Sequence, residues 1–236
     1  MEAALLAQGT HRVVLKFNYR STAHIVATST AVVAPNYGAE GGYKPLEAAR
    51  AAGQGGHDLR VRLVVHAPRN QKKALREHGA SVLAQVVALR AVGVEPHDMA
   101  VLCYSNDAVD EFVELLREGG FADCRRLKGA VEDNDQDGNL KVGTVHDAKG
   151  LEWAVVVLYA FDTAQFLASK TTDNEPELRR VLYVGCSRAA RLLYIHVNSD
   201  QGSFVGSVSG LGEQHVMRLT LEEAAALPVD AGALAV

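Results

Sequence analysis

The chain has 236 residues, above the roughly 150 of a common single domain, so one large domain or one domain with an appendage is expected. Hydrophobic residues make up 48% and charged residues 22%, a composition that excludes a disordered chain, a collagen and a small disulfide scaffold. Twenty-four basic against 28 acidic side chains give a formal charge of -4, which excludes a bulk positive coat for nucleic acid and leaves only a localised basic groove.

The segment Met1 to Gly9 has no basic region and too short an apolar run for a secretion signal. Val13–Phe17 reads as the first strand and residues 21–34 as a helix. Gly38–His57, with Gly-Gly pairs at 41–42 and 55–56, reads as a surface excursion. Leu59–His66 is a strand, 71–92 a helix and Met99–Tyr104 a strand. In the helix over 107–118, Val109, Phe112, Val113 and Leu116 share one face. Glu132–Gly138 carries four carboxylates and reads as a solvated turn within 131–139; the strands Leu140–Val145 and Ala154–Tyr159 follow. A helix over 175–190 aligns Leu178, Val181, Leu182, Gly185 and Ala189, and Leu192–Val197 is the last strand. Residues 201–236 form a small-residue, acidic extension to a domain over 1–200. Valine-rich runs, apolar on successive residues, suit strands buried on both faces, so the expected fold is α/β, a doubly wound, mostly parallel sheet with helices on both faces. Cys103, Cys124 and Cys186 show no C-x-x-C spacing, and no apolar run reaches the roughly 18 residues of a membrane span; a cytoplasmic protein is expected.

The chain contains no G-x-x-x-x-G-K-[ST] loop to cradle phosphates, and no predicted strand ends in paired carboxylates that would hold magnesium. Three other segments stand in a notable order. Leu15-Lys16-Phe17-Asn18-Tyr19-Arg20-Ser21 ends a strand and opens a helix. Val142-Gly143-Thr144-Val145-His146-Asp147-Ala148-Lys149-Gly150-Leu151-Glu152-Trp153 links two strands. Arg179-Arg180-Val181-Leu182-Tyr183-Val184-Gly185-Cys186-Ser187-Arg188-Ala189 is a helix that ends before the last strand. Strand ends and the helices that follow gather along one edge of a parallel sheet, so the first two segments are expected to meet there.

These strings resemble motifs IV, V and VI of the UvrD/Rep/PcrA superfamily 1 helicases, in order, within the second RecA-like motor domain. Met99 to Asn106 resembles a further strand-and-asparagine segment of that family. The resemblance implies that Arg20 and Arg188 reach the γ-phosphate of ATP, Tyr19 stacks on the adenine, and Glu152, beside Gly150, accepts from the ribose. It implies contacts of Thr144, His146 and Asn106 with single-stranded DNA, and it leaves Lys149 as either a phosphate ligand or an exposed lysine. A rigid guanidinium suits the charge that spreads over a transferring phosphoryl group.

The chain also departs from that family. Motifs I to III are absent, so ATP with Mg2+ would be held mainly by an N-terminal RecA-like motor domain, the expected partner alongside single-stranded DNA. Tyr104 stands where many relatives carry an arginine, either as a stacking replacement or as a packed tyrosine. The expected function is the C-terminal motor domain of an ATP-dependent DNA helicase or translocase, inactive alone. The alternative is a non-catalytic RecA-like domain that binds a partner or nucleic acid. No histidine spacing marks a metal site.

Overall fold

Seven strands run in one direction through the middle of the protein, in the order β5-β6-β4-β7-β8-β3-β9. The computed structural model describes residues 16–38, 45–50, 58–66, 71–128, 138–159, 161, 175–197 and 203–234. In chain order the elements are β1 (Phe17–Thr22), α1 (Ala23–Val33), β2 (Glu47–Arg50), β3 (Val61–Val65), α2 (Gln71–Ala91), β4 (Met99–Cys103) and α3 (Asn106–Glu118). They continue with β5 (Cys124–Arg126), β6 (Leu140–Thr144), β7 (Trp153–Tyr159), α4 (Glu175–Cys186), β8 (Ala189–Val197), α5 (Ser203–Ser209), β9 (Val216–Leu219), α6 (Leu221–Ala226) and α7 (Ala231–Leu234).

The alternation of side chains along each strand divides the core in two. Met99, Val101 and Cys103 of β4, with Val155, Val157 and Tyr159 of β7, pack under Val86 of α2 and Phe112 and Leu116 of α3. Ala100 and Leu102, with Val156 and Leu158, face the other way onto Ile25 and Val32 of α1 and Leu178 and Leu182 of α4. Successive residues point to opposite faces, so an unbroken apolar run needs a helical layer on each side. This is the doubly wound, RecA-like parallel fold that the sequence pattern implies.

Several boundaries differ from the sequence reading. Of the strand expected over Val13–Phe17 only Phe17 and the residue before it lie among the described residues; β1 runs from Phe17 to Thr22 and, among the described residues, pairs with β2, outside the main sheet. β2 lies within the stretch read as a surface excursion. The helix expected to reach residue 190 stops at Cys186, and Ala189 opens β8. Ala189 and Ala190 continue the apolar stripe of α4, but they are also small and buried, and parallel pairing with β7 claims them. The C-terminal extension contributes β9 to the sheet, in register with β3 from Val61↔Val216 to Val64↔Leu219. Of the acidic turn, only Gly138 and Asn139 lie among the described residues; Gly138 has φ 70°.

Candidate nucleotide and nucleic-acid site

Parallel pairing fixes which residues share an edge. Cys103 of β4 is level with Thr144 of β6 and with Tyr159 of β7, so the residues after these strands crowd the C-terminal edge. Trp153, six residues earlier on β7, is level with Ala189, the first residue of β8. At about 3.3 Å per residue, these two levels are roughly 20 Å apart. The second motif therefore crosses the sheet, from Thr144 at one edge to Glu152 at the other. The expectation that the first two motifs meet at the C-terminal edge is corrected here: Arg20, Glu152 and Arg188 meet where β7 and β8 begin.

Local chemistry places them there. The Ser21 hydroxyl is buried and donates to the Ala189 carbonyl at 2.8 Å, which ties the end of β1 to the start of β8. Asn18 Oδ1 accepts from the backbone N–H groups of Arg20 (2.8 Å) and Ser21 (2.9 Å), shaping the strand end that carries Arg20. The Trp153 N–H donates to the Arg188 carbonyl at 3.0 Å, so Glu152 and Arg188 precede adjacent strands as neighbours. Gly150, at φ 92°, turns the chain into Leu151 and Glu152 in a conformation that side chains resist.

Arg20 and Glu152 form an ion pair through Nε and Oε2, with both side chains close to half exposed. Arg188 folds back on its own surroundings: Nε donates to the Val184 carbonyl (3.1 Å), Nη1 to the Leu151 carbonyl (3.0 Å) and Nη2 to the Ser187 hydroxyl (3.0 Å). Its pKa is lowered, first by burial and then by the charge of Arg20; Glu152 and Tyr183 oppose the shift. Tyr19, the residue before Arg20, is 71% exposed and Phe17 49%, with ring centroids 6.2 Å apart.

The C-terminal edge holds Tyr104, Asn106 and Thr144, while Lys149, three residues before Glu152, lies between the two edges. Tyr104 is partly exposed, and the ring of Phe161, fully buried, meets it edge-on at 6.2 Å. Asn106 opens α3 behind the Ser105 cap, and its Oδ1 accepts from Arg126 Nη2 at 2.9 Å. Thr144 is only 6% exposed; its hydroxyl donates to Asp147 Oδ2 (2.7 Å) and accepts from the Asp147 N–H (3.2 Å). It thus holds the turn that presents His146 and Lys149, both exposed. These two, with Val145, Glu177, Arg180, Val181 and Val184, line a cleft of about 210 Å³. Gly185 permits the close approach of α4: a Cβ there would lie 3.2 Å from Val145 and 3.0 Å from Leu158.

Sequence reasoning missed several polar residues. Asn18 and Ser21 sit inside the first motif without an assigned role. Arg179, which opens the third motif without an assigned role, is buried; it bonds Glu175, the Val32 carbonyl (2.9 Å) and the Ser207 hydroxyl (3.1 Å), fastening α4 to α1 and α5. His66, His78 and His196 come together from three separate segments, with a 3.0 Å bond between His66 Nε2 and His196 Nδ1 and a 3.7 Å ring contact between His66 and His78. No local spacing could have signalled that cluster. Among the described residues, no three His, Cys, Asp or Glu side chains are arranged to hold a metal ion, and no helix is long and apolar enough to cross a membrane.

Residues 125–200 match the UvrD-like helicase C-terminal domain. Among curated relatives, the RecBCD enzyme subunit RecB of Chlamydia pneumoniae is 29% identical over 111 residues, 45% of this chain and 10% of that protein. A probable DNA helicase II homolog of Rickettsia conorii is 35% identical over 74 residues, 29% of this chain and 11% of that protein. The ATP-dependent DNA helicase UvrD1 of Mycobacterium tuberculosis is 35% identical over 85 residues, 33% of this chain and 11% of that protein. The chain thus spans about a tenth of the length of the curated relatives it matches. The crystal structure of the C-terminal domain of a possible DNA helicase from Lactobacillus plantarum WCFS1 superposes with a TM-score of 0.55 at 18% identity, covering 85% of this chain and 98% of that one, which establishes the shared fold. The sequence matches establish homology to the UvrD-like helicase C-terminal domain of superfamily 1.

Proposed function

We propose that this chain is the C-terminal, second RecA-like motor domain of an ATP-dependent DNA helicase or translocase. One observation carries the reading: two arginines and a carboxylate from three distant segments, Arg20, Glu152 and Arg188, converge, and the residue before Arg20 is the exposed Tyr19. An upstream motor domain would present ATP with Mg2+ to this edge, and the bound nucleotide would supply the phosphoryl group whose transfer drives movement. Arg20 and Arg188 would neutralise the charge that develops on the γ-phosphate, an effect worth roughly 10³–10⁵ in rate for a guanidinium so placed. Tyr19 would stack on the adenine and Glu152, beside Gly150, would accept from the ribose. Single-stranded DNA would run along the opposite edge, over Tyr104, Asn106 and His146 and toward Lys149, with Thr144 holding the turn. Separate edges suit a motor, because closure on ATP at one end then displaces the DNA contacts at the other.

The test is reconstitution. The purified chain alone should turn over no ATP. Joined to an upstream motor half that carries a phosphate-binding loop, it should acquire ATPase activity stimulated by single-stranded DNA. Turnover by the chain alone, or no turnover by the assembly, would contradict the proposal.

A further inference from the structure

Glu152 has two claims on it. In this structure its carboxylate holds Arg20, and it lies close enough to Arg188 to oppose the lowering of that arginine's pKa. The guanidinium of Arg188 is meanwhile directed at two backbone carbonyls and a hydroxyl. The cations of the site are thus satisfied from within the chain. A polyphosphate arriving alone meets a carboxylate of like charge and must break the Arg20–Glu152 pair with nothing offered to Glu152 in return.

We propose that Glu152 masks this anion site and that a ribose unmasks it. The inference rests on the nucleotide-site reading above and concerns the regulation of that site. A nucleotide exchanges both ends of the ion pair together: its ribose hydroxyls donate to Glu152 while its phosphates take Arg20. An inorganic polyphosphate can make only the second exchange. The arrangement therefore favours nucleoside triphosphates over bare polyphosphates and keeps Arg20 engaged until a nucleotide is in place.

Binding of inorganic tripolyphosphate to the purified 236-residue chain tests this, read by calorimetry, with circular dichroism to confirm folding. A carboxylate and a phosphate oxygen about 4 Å apart in near-aqueous surroundings repel by an amount equivalent to roughly fivefold to tenfold in affinity. Glu152→Gln should tighten tripolyphosphate binding by about that factor, and Glu152→Gln with Arg20→Gln should lose the gain. Glu118→Gln removes the same charge from the far pair with Arg76 and should change nothing. A Glu152→Gln affinity equal to wild type, a gain that survives Arg20→Gln, or an equal gain in Glu118→Gln would each overturn the masking. If Arg20→Gln alone weakens binding while Glu152→Gln has no effect, the masking falls and the anion-site reading stands. Absence of binding by every variant would overturn both.

Discussion

Mild acid should destabilise this protein through three buried histidines, and replacing one of them should remove a definable share of the effect. His66, His78 and His196 are buried against one another where β3, β8 and α2 meet. Burial, with the neighbouring charge of His78, lowers the pKa of His66 from 6.5 to about 3. Burial lowers that of His78 to about 4, opposed by Glu77, and holds that of His196 well below 6.5, with His66 and His78 adding to the shift. A base whose folded pKa is depressed binds protons more readily when unfolded. Its stabilising contribution is therefore intact above pH 6.5 and is lost as the pH falls toward the folded pKa. The loss is about 1.4 kcal/mol per pH unit per histidine, or about 2 kcal/mol each by pH 5. His66 and His78 together would cost about 4 kcal/mol, a large part of the roughly 5–15 kcal/mol that holds a domain folded. His78 Nδ1 has no hydrogen-bond partner among the described residues, so His78→Leu leaves no orphaned partner. Urea unfolding followed by circular dichroism at pH 7, 6 and 5 should show wild-type stability falling steeply and the variant's falling by about 2 kcal/mol less between pH 7 and pH 5. Equal slopes, or a wild type whose stability is flat over this range, would refute the reasoning.

Ser21→Ala should cost about 1–3 kcal/mol, because it leaves the buried Ala189 carbonyl without its donor, and denaturant unfolding will measure it. Gly143→Ala should destabilise by about 1–3 kcal/mol, since a Cβ there would lie 2.7 Å from the Leu127 Cβ and cannot be relieved by rotating a side chain. In an assembled motor, Arg20→Ala or Arg188→Ala should lower ATP turnover by orders of magnitude with an unchanged circular dichroism spectrum. In the same assembly Tyr104→Ala should weaken oligothymidylate binding by about 1–3 kcal/mol if the tyrosine carries a base, and anisotropy titration would show no change if it serves only to pack on Phe161.

The central strands were legible because burial on both faces demands unbroken apolar runs, and β4 and β7 have them. β5 and β9, at three and four residues, are too short to show a pattern and exist because the sheet edge accepts them. The three motifs were legible as strings, but their meeting place was not. The predicted strands already put Thr144 at the end of one and Glu152 before the next, but only the pairing of Trp153 with Ala189 shows that Glu152 meets Arg188 where β7 and β8 begin. The end of α4 was misread because Ala189 suits a helix stripe and a buried strand equally. Ser21, Arg179 and the three histidines act through partners distant in sequence, which no local spacing encodes.

The proposed nucleotide and DNA surfaces are separated by the height of one sheet. The measurement that tests this separation most directly is a pair of substitutions in an assembled motor, each read for both ATP turnover and affinity for single-stranded DNA. Arg188→Ala should abolish turnover while leaving DNA affinity within about twofold in the absence of nucleotide, and Tyr104→Ala should weaken DNA binding by about 1–3 kcal/mol without lowering turnover at saturating DNA. Loss of DNA affinity in Arg188→Ala equal to that in Tyr104→Ala would contradict the division of the site between the two edges.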